Sequence, residues 1–326
     1  MVGEGNPTLT WGPVLATTLM NYLDSGMFRT QAFKRSPFWK WMHEGKRIRR
    51  ITSGERIKLP LVYAGSGNFR RYTGLEPLNV TGYDGITNVF FDWKQAGAAA
   101  VISGLDSRNN QGENQVRDLW KTKIQQAESE MGDNLATDAY SDGTADGSRQ
   151  ITGLLAMIAT TITSGTYAAI DTAVNTKWRN QVSASVGAAA TNLLPALRTV
   201  YNDCTEVSSV EGEPDALVTT QTVAEVLEAL TLPAVRYVGG AEADLSTKPK
   251  YRNAKILWEA KCQSGVMYVL NSNHLFMFVH RDADMNMLPA GKQQPINQDA
   301  FVAPIIWQGN MACNLRAALG KLTGLT

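Results

Sequence analysis

The segment that most constrains the fold is residues 112–131, GENQVRDLWKTKIQQAESEM, which has no proline and no internal glycine. Its apolar residues recur at steps of three or four and are Val116, Trp120, Ile124, Ala127 and Met131. This spacing is typical of one face of an α-helix. The other faces carry charged and amide side chains. We therefore predict a helix of about 20 residues, roughly 30 Å long, with one face on a sheet and its back in solvent.

The composition is that of a folded globular protein, with 44% hydrophobic and 19% charged residues. At 326 residues the chain is long enough for two domains, or for one domain with large excursions. The formal net charge of +1 gives no whole-chain bias towards nucleic acid or a membrane. No apolar run approaches the ~18 residues of a membrane span, and the first residues do not resemble a signal peptide.

The sequence contains none of the catalytic or metal-binding motifs that we searched for. Cys204, Cys262 and Cys313 are far apart and form no CxxC pair, so neither a disulfide framework nor a zinc site is indicated. There is no GxSxG elbow, no HExxH and no P-loop. We expect no catalytic residue, no cofactor and no enzyme activity.

Two acidic clusters invite a metal interpretation. Asp142 and Asp146 lie in a sequence similar to a calcium loop, but its twelfth position is Gly153 where a bidentate Glu is needed, so Asx-type turns are favoured. His280, Asp282 and Asp284 alternate along HRDAD and would share one face of a strand, which we interpret as a solvated face. The sequence predicts no metal site.

The strongest local charge bias lies in residues 34–50, where seven basic residues and several aromatic rings accompany the single acid Glu44. Such a segment could bind nucleic acid, with cations on phosphates and rings on bases. It could equally be an arm whose rings anchor in a partner. We favour the arm, and its candidate anchors are Phe38, Trp39, Trp41, Arg47, Arg49 and Arg50.

Residues 51–95 read as a long hairpin. Residues 55–64, ERIKLPLVYA, and 85–93, GITNVFFDW, are strand-like, and a glycine-rich connection of about 20 residues joins them. A lone hairpin is marginally stable in water, so we expect its tip to pack on another molecule. The candidate contacts are Phe69, Arg70, Arg71, Tyr72 and Leu75.

The rest of the chain mixes helical and strand patterns, which predicts an α+β protein. Helices are expected over residues 10–28 and over residues 185–203, the latter interrupted or kinked near Pro195. Residues 213–230 read as a strand followed by a helix, and residues 251–280 contain three strand-like runs. A final strand over residues 301–322 is expected to return to an earlier sheet.

This order of elements resembles the major capsid proteins of tailed bacteriophages, which share the Hong Kong 97-type fold. The motifs that carry the resemblance are ENQVRDLWKTKIQQAESEMGDNL, YSDGT, ITGLLAMI, GTYAAIDTAVNTKWRN, PDALVTTQTVAEV and YVLNSNHLFMFVH. The resemblance covers residues 30–326 and is most specific at GTYAAID…WRN together with ITGLL.

The resemblance implies an α+β, Hong Kong 97-like capsid fold with four parts. Residues 1–45 would be the N-arm and residues 46–98 the extended E-loop hairpin. Residues 99–160 would form the P-domain, a spine helix on a small antiparallel sheet, to which residues 275–326 return. Residues 161–274 would form the inserted α/β A-domain. In this scheme Val116, Trp120, Ile124 and Met131 pack the spine helix on the P-domain sheet.

The resemblance also implies a function and partners. Family members form hexamers and pentamers that tile an icosahedral virion shell around double-stranded DNA, without sequence specificity, and they assemble in the host bacterial cytoplasm. The expected partners are a portal, a scaffolding protein and, as an optional addition, a decoration protein; no membrane is involved. Because only about 45 residues precede the hairpin, we expect a separate scaffolding protein. Arg70 and Arg71 occupy the tip and the nearest lysine is Lys58, so covalent cross-linking through a loop lysine is not expected.

Two alternatives remain open, and a third is disfavoured. The first is a nucleic-acid-binding protein that uses residues 34–50. The second is a shell of the same fold that encloses protein cargo. An enzyme on a β-rich scaffold is disfavoured because the sequence offers no nucleophile or ligand set.

Overall fold

The fold is seen in a computed structural model, which describes residues 36–44, 47–62, 65, 67–82, 84–110, 119–208, 212–238, 250–287 and 298–326. The helix predicted over residues 10–28 lies outside the described residues. Contacts along the chain define two compact units. The described residues of the first unit fall within 96–134 and 283–307, and those of the second within 35–95, 135–282 and 308–326.

The regular α-helices of the described residues are α1 (Pro37–Glu44), α2 (Gly104–Asn109), α3 (Leu119–Asp138), α4 (Leu154–Met157), α5 (Ala189–Val207) and α6 (Gln221–Val238). A further helical turn, Ala145–Ser148, is irregular, because Asp146 and Gly147 have positive φ angles. The strands are β1 (Ile48–Ile51), β2 (Ile57–Val62), β3 (Ile86–Phe91), β4 (Lys94–Ser103), β5 (Thr166–Tyr167), β6 (Ile170–Asp171), β7 (Gln181–Ser183), β8 (Ala216–Thr219), β9 (Lys250–Tyr251), β10 (Ala254–Trp258), β11 (Val266–Leu270), β12 (Leu275–His280), β13 (Asn286–Met287), β14 (Ala300–Cys313) and β15 (Gly320–Thr323). Short 3₁₀ helices span Thr176–Trp178, Arg281–Ala283 and Arg316–Ala318.

A six-stranded mixed sheet forms the centre of the second unit. Its strand order is β7-β15-β11-β8-β10-β9, with parallel pairs at β7–β15 and β8–β10. Every residue of β8 and β11 is buried, so both faces of the sheet centre are covered. Helices α5 and α6 pack on one face through Leu193, Leu197, Val200, Leu227 and neighbouring apolar residues. Burial of this apolar surface is the main driving force for the fold.

The strand–helix step predicted over residues 213–230 is present as β8 and α6, and the three strand-like runs of residues 251–280 are β10, β11 and β12. The helix predicted over residues 185–203 is α5, which contains Pro195. Residues 166–171 form the short pair β5–β6. Local patterns therefore located most elements of this unit, because each combines a clear period with flanking turn residues.

The end of the chain differs from the single strand predicted over residues 301–322. Strand β14 ends at Cys313, a 3₁₀ helix follows, and β15 lies between β7 and β11 in the six-stranded sheet. Arg316 is buried in this turn, and its Nε donates to the carbonyl oxygen of Met157 at 2.6 Å. The last strand thus joins residues 181–183 and 266–270, whereas residues 275–326 were expected to return together to a P-domain.

Strand β12 pairs in parallel with β1 and antiparallel with the second half of β14, with Leu275 opposite Cys313. The HRDAD segment was predicted to alternate on one strand face, but β12 ends at His280 and a 3₁₀ helix begins at Arg281. His280 Nε2 lies 3.1 Å from the carbonyl oxygen of Thr52.

Asp142 Oδ1 accepts from the backbone N–H and hydroxyl of Thr144, which is the Asx turn that the sequence indicated.

The first unit contains β4 from Ala96 onwards, α2, most of α3, β13 and the first half of β14. Helix α2 begins after Ser103, whose Oγ accepts from the N–H of Leu105 at 3.2 Å. Gly104 N donates to the carbonyl oxygen of Asp299 at 2.8 Å. Arg108 also pairs with the exposed carboxylate of Asp299, at 2.6 Å. These contacts tie α2 to the segment that leads into β14.

Helix α3 is the helix predicted over residues 112–131, and it ends later than predicted. Ala127 and Met131 are buried and Ile124 is partly buried. Val116 lies outside the described residues, as does the side chain of Trp120. The helix continues to Asp138 because Gly132 costs only about 1 kcal/mol in a helix, while the buried Leu135 and Ala136 extend the apolar stripe.

Helix α1 is capped by its own N-cap and by a distant carboxyl group. Ser36 Oγ accepts from the N–H of Trp39 at 3.2 Å. The same hydroxyl donates to Oε2 of Glu259 at 2.7 Å, and the N–H of Phe38 donates to that oxygen at 3.4 Å. Glu259 is fully buried at the end of β10, and this burial raises the pKa of its carboxyl group. The free N–H groups of the helix start are thereby satisfied.

Gly320→Ala tests the packing of α5 on the sheet. A Cβ at Gly320 would lie 2.4 Å from Cγ1 of Val200 and 3.0 Å from Sγ of Cys204. We expect a loss of about 1–3 kcal/mol in the free energy of unfolding, measured by urea denaturation of the unassembled chain. Gly132→Ala is the matched control, because nothing lies within 4 Å of its Cβ; it should gain about 0.5–1 kcal/mol. Equal effects at both glycines would contradict the close approach.

Glu259→Gln tests the buried cap. Because the pKa of Glu259 is raised in the fold, its contribution to stability is complete below about pH 4.3, the ordinary Glu pKa. That contribution is lost as the pH rises through the raised pKa. Glutamine keeps an acceptor oxygen for Ser36 and Phe38 but does not ionise. We expect the stability of the native chain to fall relative to that of the variant as the pH rises, by urea denaturation at a series of pH values. The exposed Glu44→Gln is the control, and a gap independent of pH would refute the assignment.

Candidate interaction surface

The hairpin β2–β3 presents its far end to solvent. The two strands pair antiparallel in register from Ile57 opposite Phe91 to Val62 opposite Ile86. At the base Ile57, Val89 and Phe91 are buried, whereas Val62 and Ile86 are exposed. Burial therefore decreases along the hairpin from its base to its outer end.

The tip of the hairpin, residues 67–82, exposes large apolar side chains. Phe69 is 84% exposed and Leu75 is completely exposed. Tyr72, Leu78 and Val80 are exposed as well. This number of exposed large apolar side chains in one loop makes the tip a candidate interaction surface.

Polar contacts hold the shape of the tip without burying these side chains. Asn68 Nδ2 donates to the carbonyl oxygen of Thr81 at 2.7 Å, which joins the two sides of the loop. Arg70 pairs with Glu76 at 3.4 Å, and both side chains are about half exposed, so the pair contributes little stability. The guanidinium of Arg71 lies 5.9 Å from the ring centroid of Phe69. The tip is thus ordered locally, and its apolar side chains are left outward.

All five tip residues named from the sequence, Phe69, Arg70, Arg71, Tyr72 and Leu75, are exposed on this surface. The sequence analysis missed Leu78 and Val80, which extend the apolar patch towards the returning strand. Their signal was available: two apolar residues separated by one polar residue, inside a segment otherwise rich in turn formers.

The aromatic residues of the basic segment pack within their own chain. Phe38, Trp41 and Met42 lie on one face of α1 and are buried. The ring of Phe38 lies 5.6 Å from that of Tyr140, centroid to centroid. The sequence predicts that these rings anchor in a partner, and the structure corrects this for Phe38 and Trp41, which the i, i+3, i+4 spacing buries within their own chain. Trp39 is on the other side, partly exposed and 6.0 Å from the ring of His43.

Arg47 fastens the same segment to the six-stranded sheet. Its guanidinium stacks 3.7 Å from the ring centroid of Trp41, donates to the Trp41 carbonyl oxygen at 2.6 Å and pairs with Asp215 at 2.9 Å. Burial lowers the pKa of Arg47, and the Asp215 carboxylate opposes this effect. Arg49 lies 3.8 Å from the ring centroid of Phe276, while Arg50 is exposed on β1. The guanidinium of Arg47 is therefore engaged by Trp41 and Asp215 of its own chain and is unsuited to binding phosphate.

The thiols have the environment of structural residues. Cys204, Cys262 and Cys313 are all buried and unpaired. Burial raises the pKa of Cys262 and of Cys313 to about 12, so both are protonated near neutral pH and are poor nucleophiles. Among the described residues, no three His, Cys, Asp or Glu side chains are grouped so that they could hold a metal ion. No helix in the described ranges is long and apolar enough to span a membrane.

Comparison of sequences finds no relative: no family model and no curated protein matches this chain. Comparison of structures does find chains of similar fold. A chain of the cyanophage A-1(L) capsid asymmetric unit matches with a TM-score of 0.67 at 14% identity, covering 96% of this chain and 99% of that one. The capsid of Myoviridae phage XM1 matches with a TM-score of 0.58 at 14% identity, covering 97% and 100%.

The third similar structure is the holo-SrpI encapsulin complex of Synechococcus elongatus, with a TM-score of 0.58 at 9% identity and 95% of both chains covered. These matches extend over nearly the whole chain, so they concern the complete arrangement of elements and not a shared motif. The predicted fold class is confirmed: the chain has the α+β, Hong Kong 97-type fold of phage capsid proteins.

Proposed function

We propose that this chain is the major capsid protein of a tailed phage, a structural subunit that assembles into hexamers and pentamers of an icosahedral head around double-stranded DNA. The observation that carries the proposal is the hairpin tip, which exposes Phe69, Tyr72, Leu75, Leu78 and Val80. Its partner in the proposal is a neighbouring copy of the same chain. The shared fold with phage capsid chains supports this partner.

The physical argument concerns the cost of the exposed tip. Apolar side chains in water are unfavourable by about 25 cal/mol per Å² of area that could be buried, and a soluble monomer gains nothing from displaying them. In a shell each copy covers the tip of another. Each contact is weak, but several are engaged at once, so effective concentration supplies the stability of the whole. Head-to-tail contacts between copies close into rings where the rotation allows it.

The proposal keeps the division expected from the resemblance except at the end of the chain: N-arm 1–45, E-loop 46–98, P-domain 99–160 with residues 275–313, and A-domain 161–274. It moves β15 from the P-domain to the A-domain sheet, since that strand pairs with β7 and β11. The proposed partners are a separate scaffolding protein, a portal and an optional decoration protein. The proposed location is the virion, after assembly in the host bacterial cytoplasm.

A second candidate is a shell that encloses protein cargo. The match to an encapsulin complex, with a TM-score of 0.58, favours keeping it. The content of purified particles separates the two: nuclease-resistant DNA supports the phage head, and a co-purifying protein in place of DNA supports the cargo shell. The nucleic-acid-binding alternative for residues 34–50 predicts steep salt dependence of DNA binding by the monomer, and the occupied Arg47 argues against it.

Negative-stain electron microscopy of the purified full chain tests the proposed function. We expect closed shells or capsomer rings of uniform size. A monodisperse monomer at high concentration, both with and without a co-expressed scaffolding protein, would contradict the proposed function.

Leu75→Asp tests the role of the tip. Leu75 is completely exposed, so the substitution should change the free energy of unfolding by no more than about 0.5 kcal/mol. Assembly should be lost, because a carboxylate would be buried in an apolar contact. Leu75→Met is the matched control, keeps the apolar area, and should assemble normally. Particle yield by sedimentation measures both, and normal shells from the aspartate variant would show that the tip is not at an interface.

A further inference from the structure

An open cleft of about 1060 Å³ lies beside the outer end of the hairpin, within the second unit. One wall is formed by the ends of β2 and β3 and the residues next to them, 61–62 and 84–87. The opposite wall is formed by residues 169–181. Sites for drug-sized ligands have volumes of about 300–1,000 Å³, so the cleft is large enough to hold a small molecule.

The walls carry apolar side chains that the fold leaves uncovered. Val62 and Ile86 on the hairpin are 73% and 64% exposed, and Val174 on the opposite wall is 76% exposed. Trp178 also lines the cleft but is nearly buried, and its indole N–H donates to the carbonyl oxygen of Tyr167 at 3.3 Å. The cleft therefore combines a fixed aromatic ring with aliphatic side chains on both walls, which is the apolar lining that small-molecule sites generally have.

The two carboxylates of the lining are engaged by the backbone beside them. Asp171 Oδ1 accepts from the N–H of Ala173 at 2.8 Å. Asp84 Oδ1 accepts from the N–H of Ile86 at 3.3 Å. Both acids therefore already serve as acceptors within their own loops.

The two cations of the lining, Lys177 and Arg179, are left with free donors. Arg179 donates through Nε to the carbonyl oxygen of Thr172 at 2.9 Å and through Nη2 to that of Ala173 at 3.2 Å, which holds its guanidinium against the wall. Lys177 is exposed. None of the ion pairs of the described residues includes either cation. Because carbonyl oxygens do not neutralise a positive charge, this wall offers two cations to an acidic group.

We propose that the cleft binds an anionic amphiphile, a small molecule with an apolar body and one carboxylate or sulfonate group. The apolar body covers Val62, Ile86 and Val174, and the acidic group pairs with Lys177 and Arg179. Since such a ligand contacts both walls, it braces the outer end of the hairpin against residues 169–181. The site is separate from the exposed tip, so the inference goes beyond the proposed function.

The combination of lining and charge selects this class of ligand. A purely apolar molecule would leave both cations unpaired, and a cationic molecule would meet them as like charges. An anion without an apolar body would leave the exposed valines and Ile86 in water. Apolar contact supplies most of the affinity in such sites, while a few polar groups fix the orientation of the ligand.

Titration of the purified full chain with 8-anilinonaphthalene-1-sulfonate tests the site. This probe is an anionic aromatic amphiphile whose fluorescence reports apolar surroundings. We expect saturable binding of one probe per chain. Lys177→Gln should weaken binding about two- to fivefold, which is the effect of losing one exposed ion pair. Val174→Asp should weaken it about tenfold, because it places a like charge beside the acidic group of the probe.

Three control variants change similar side chains outside the cleft. Lys255→Gln removes an exposed lysine of β10, and Val101→Asp changes an exposed valine of β4. Leu75→Asp places a charge on the exposed hairpin tip, which does not line the cleft. All three should bind the probe as tightly as the native chain. The third separates binding in the cleft from binding to the apolar tip.

Hydrogen exchange measured by mass spectrometry locates the bound probe. The probe should slow the exchange of amides in residues 61–62, 86–87 and 174–181, and should leave residues 67–82 unchanged. Protection confined to the tip overturns the inference, as does the absence of saturable binding. Equal affinity of the native chain, Lys177→Gln and Val174→Asp overturns it as well.

The rival occupant of the cleft is a second copy of the chain. In that case the amides that line the cleft become protected without any probe, and the protection grows with protein concentration. This result also overturns the inference. The proposed function stands in each of these cases, because it is tested by the formation of particles and not by binding of the probe.

Discussion

The insertion of β15 between β7 and β11 is the constraint on which the second unit depends. It joins residues 320–323 to residues 181–183 and 266–270, which are far apart in the chain. At Gly320 the sheet approaches α5 so closely that a Cβ would lie 2.4 Å from Cγ1 of Val200. Strand β7 pairs with β15. The last residues of the chain therefore position the segment that contains Asn180, which lines an open cleft together with Val62 and Ile86 at the outer end of the hairpin.

A second set of contacts determines where the hairpin starts. Helix α1 is held by the buried Glu259, and Arg47 ties the next residues to Asp215 at the start of β8. Strand β1 then pairs with β12, and β2 follows within a few residues. Both polar anchors are buried or partly buried, so they are costly to leave unpaired. These contacts hold the segment from which the hairpin starts, whereas the hydrogen bonds of the described tip residues are local to the loop.

Much of this could be predicted from the sequence, and the failures have physical reasons. The hairpin strands, the β8–α6 step and the exposed tip follow from local periodicity and turn residues, which act over a few positions. The end of α3 was misplaced because tertiary burial of Leu135 outweighs the low helix propensity of Gly132. Phe38 and Trp41 were expected to contact a partner, and nothing local distinguishes that from burial against Tyr140. The open cleft lined by Val62, Ile86, Trp178 and Val207 was not foreseen, because its lining residues come from separate parts of the chain.

The sequence by itself determined the α+β class, the extended hairpin and the resemblance to capsid proteins, since these depend on the type and order of short-range patterns. Only the tertiary structure decided which elements these segments contact. It decided that β15 joins the six-stranded sheet, that Phe38 and Trp41 of α1 are buried within their own chain, and that a cleft lies beside the hairpin. The physical reason is that local propensities contribute small free energies and depend on only a few neighbouring residues. Burial of apolar surface and pairing of buried polar groups depend on residues brought together from across the chain.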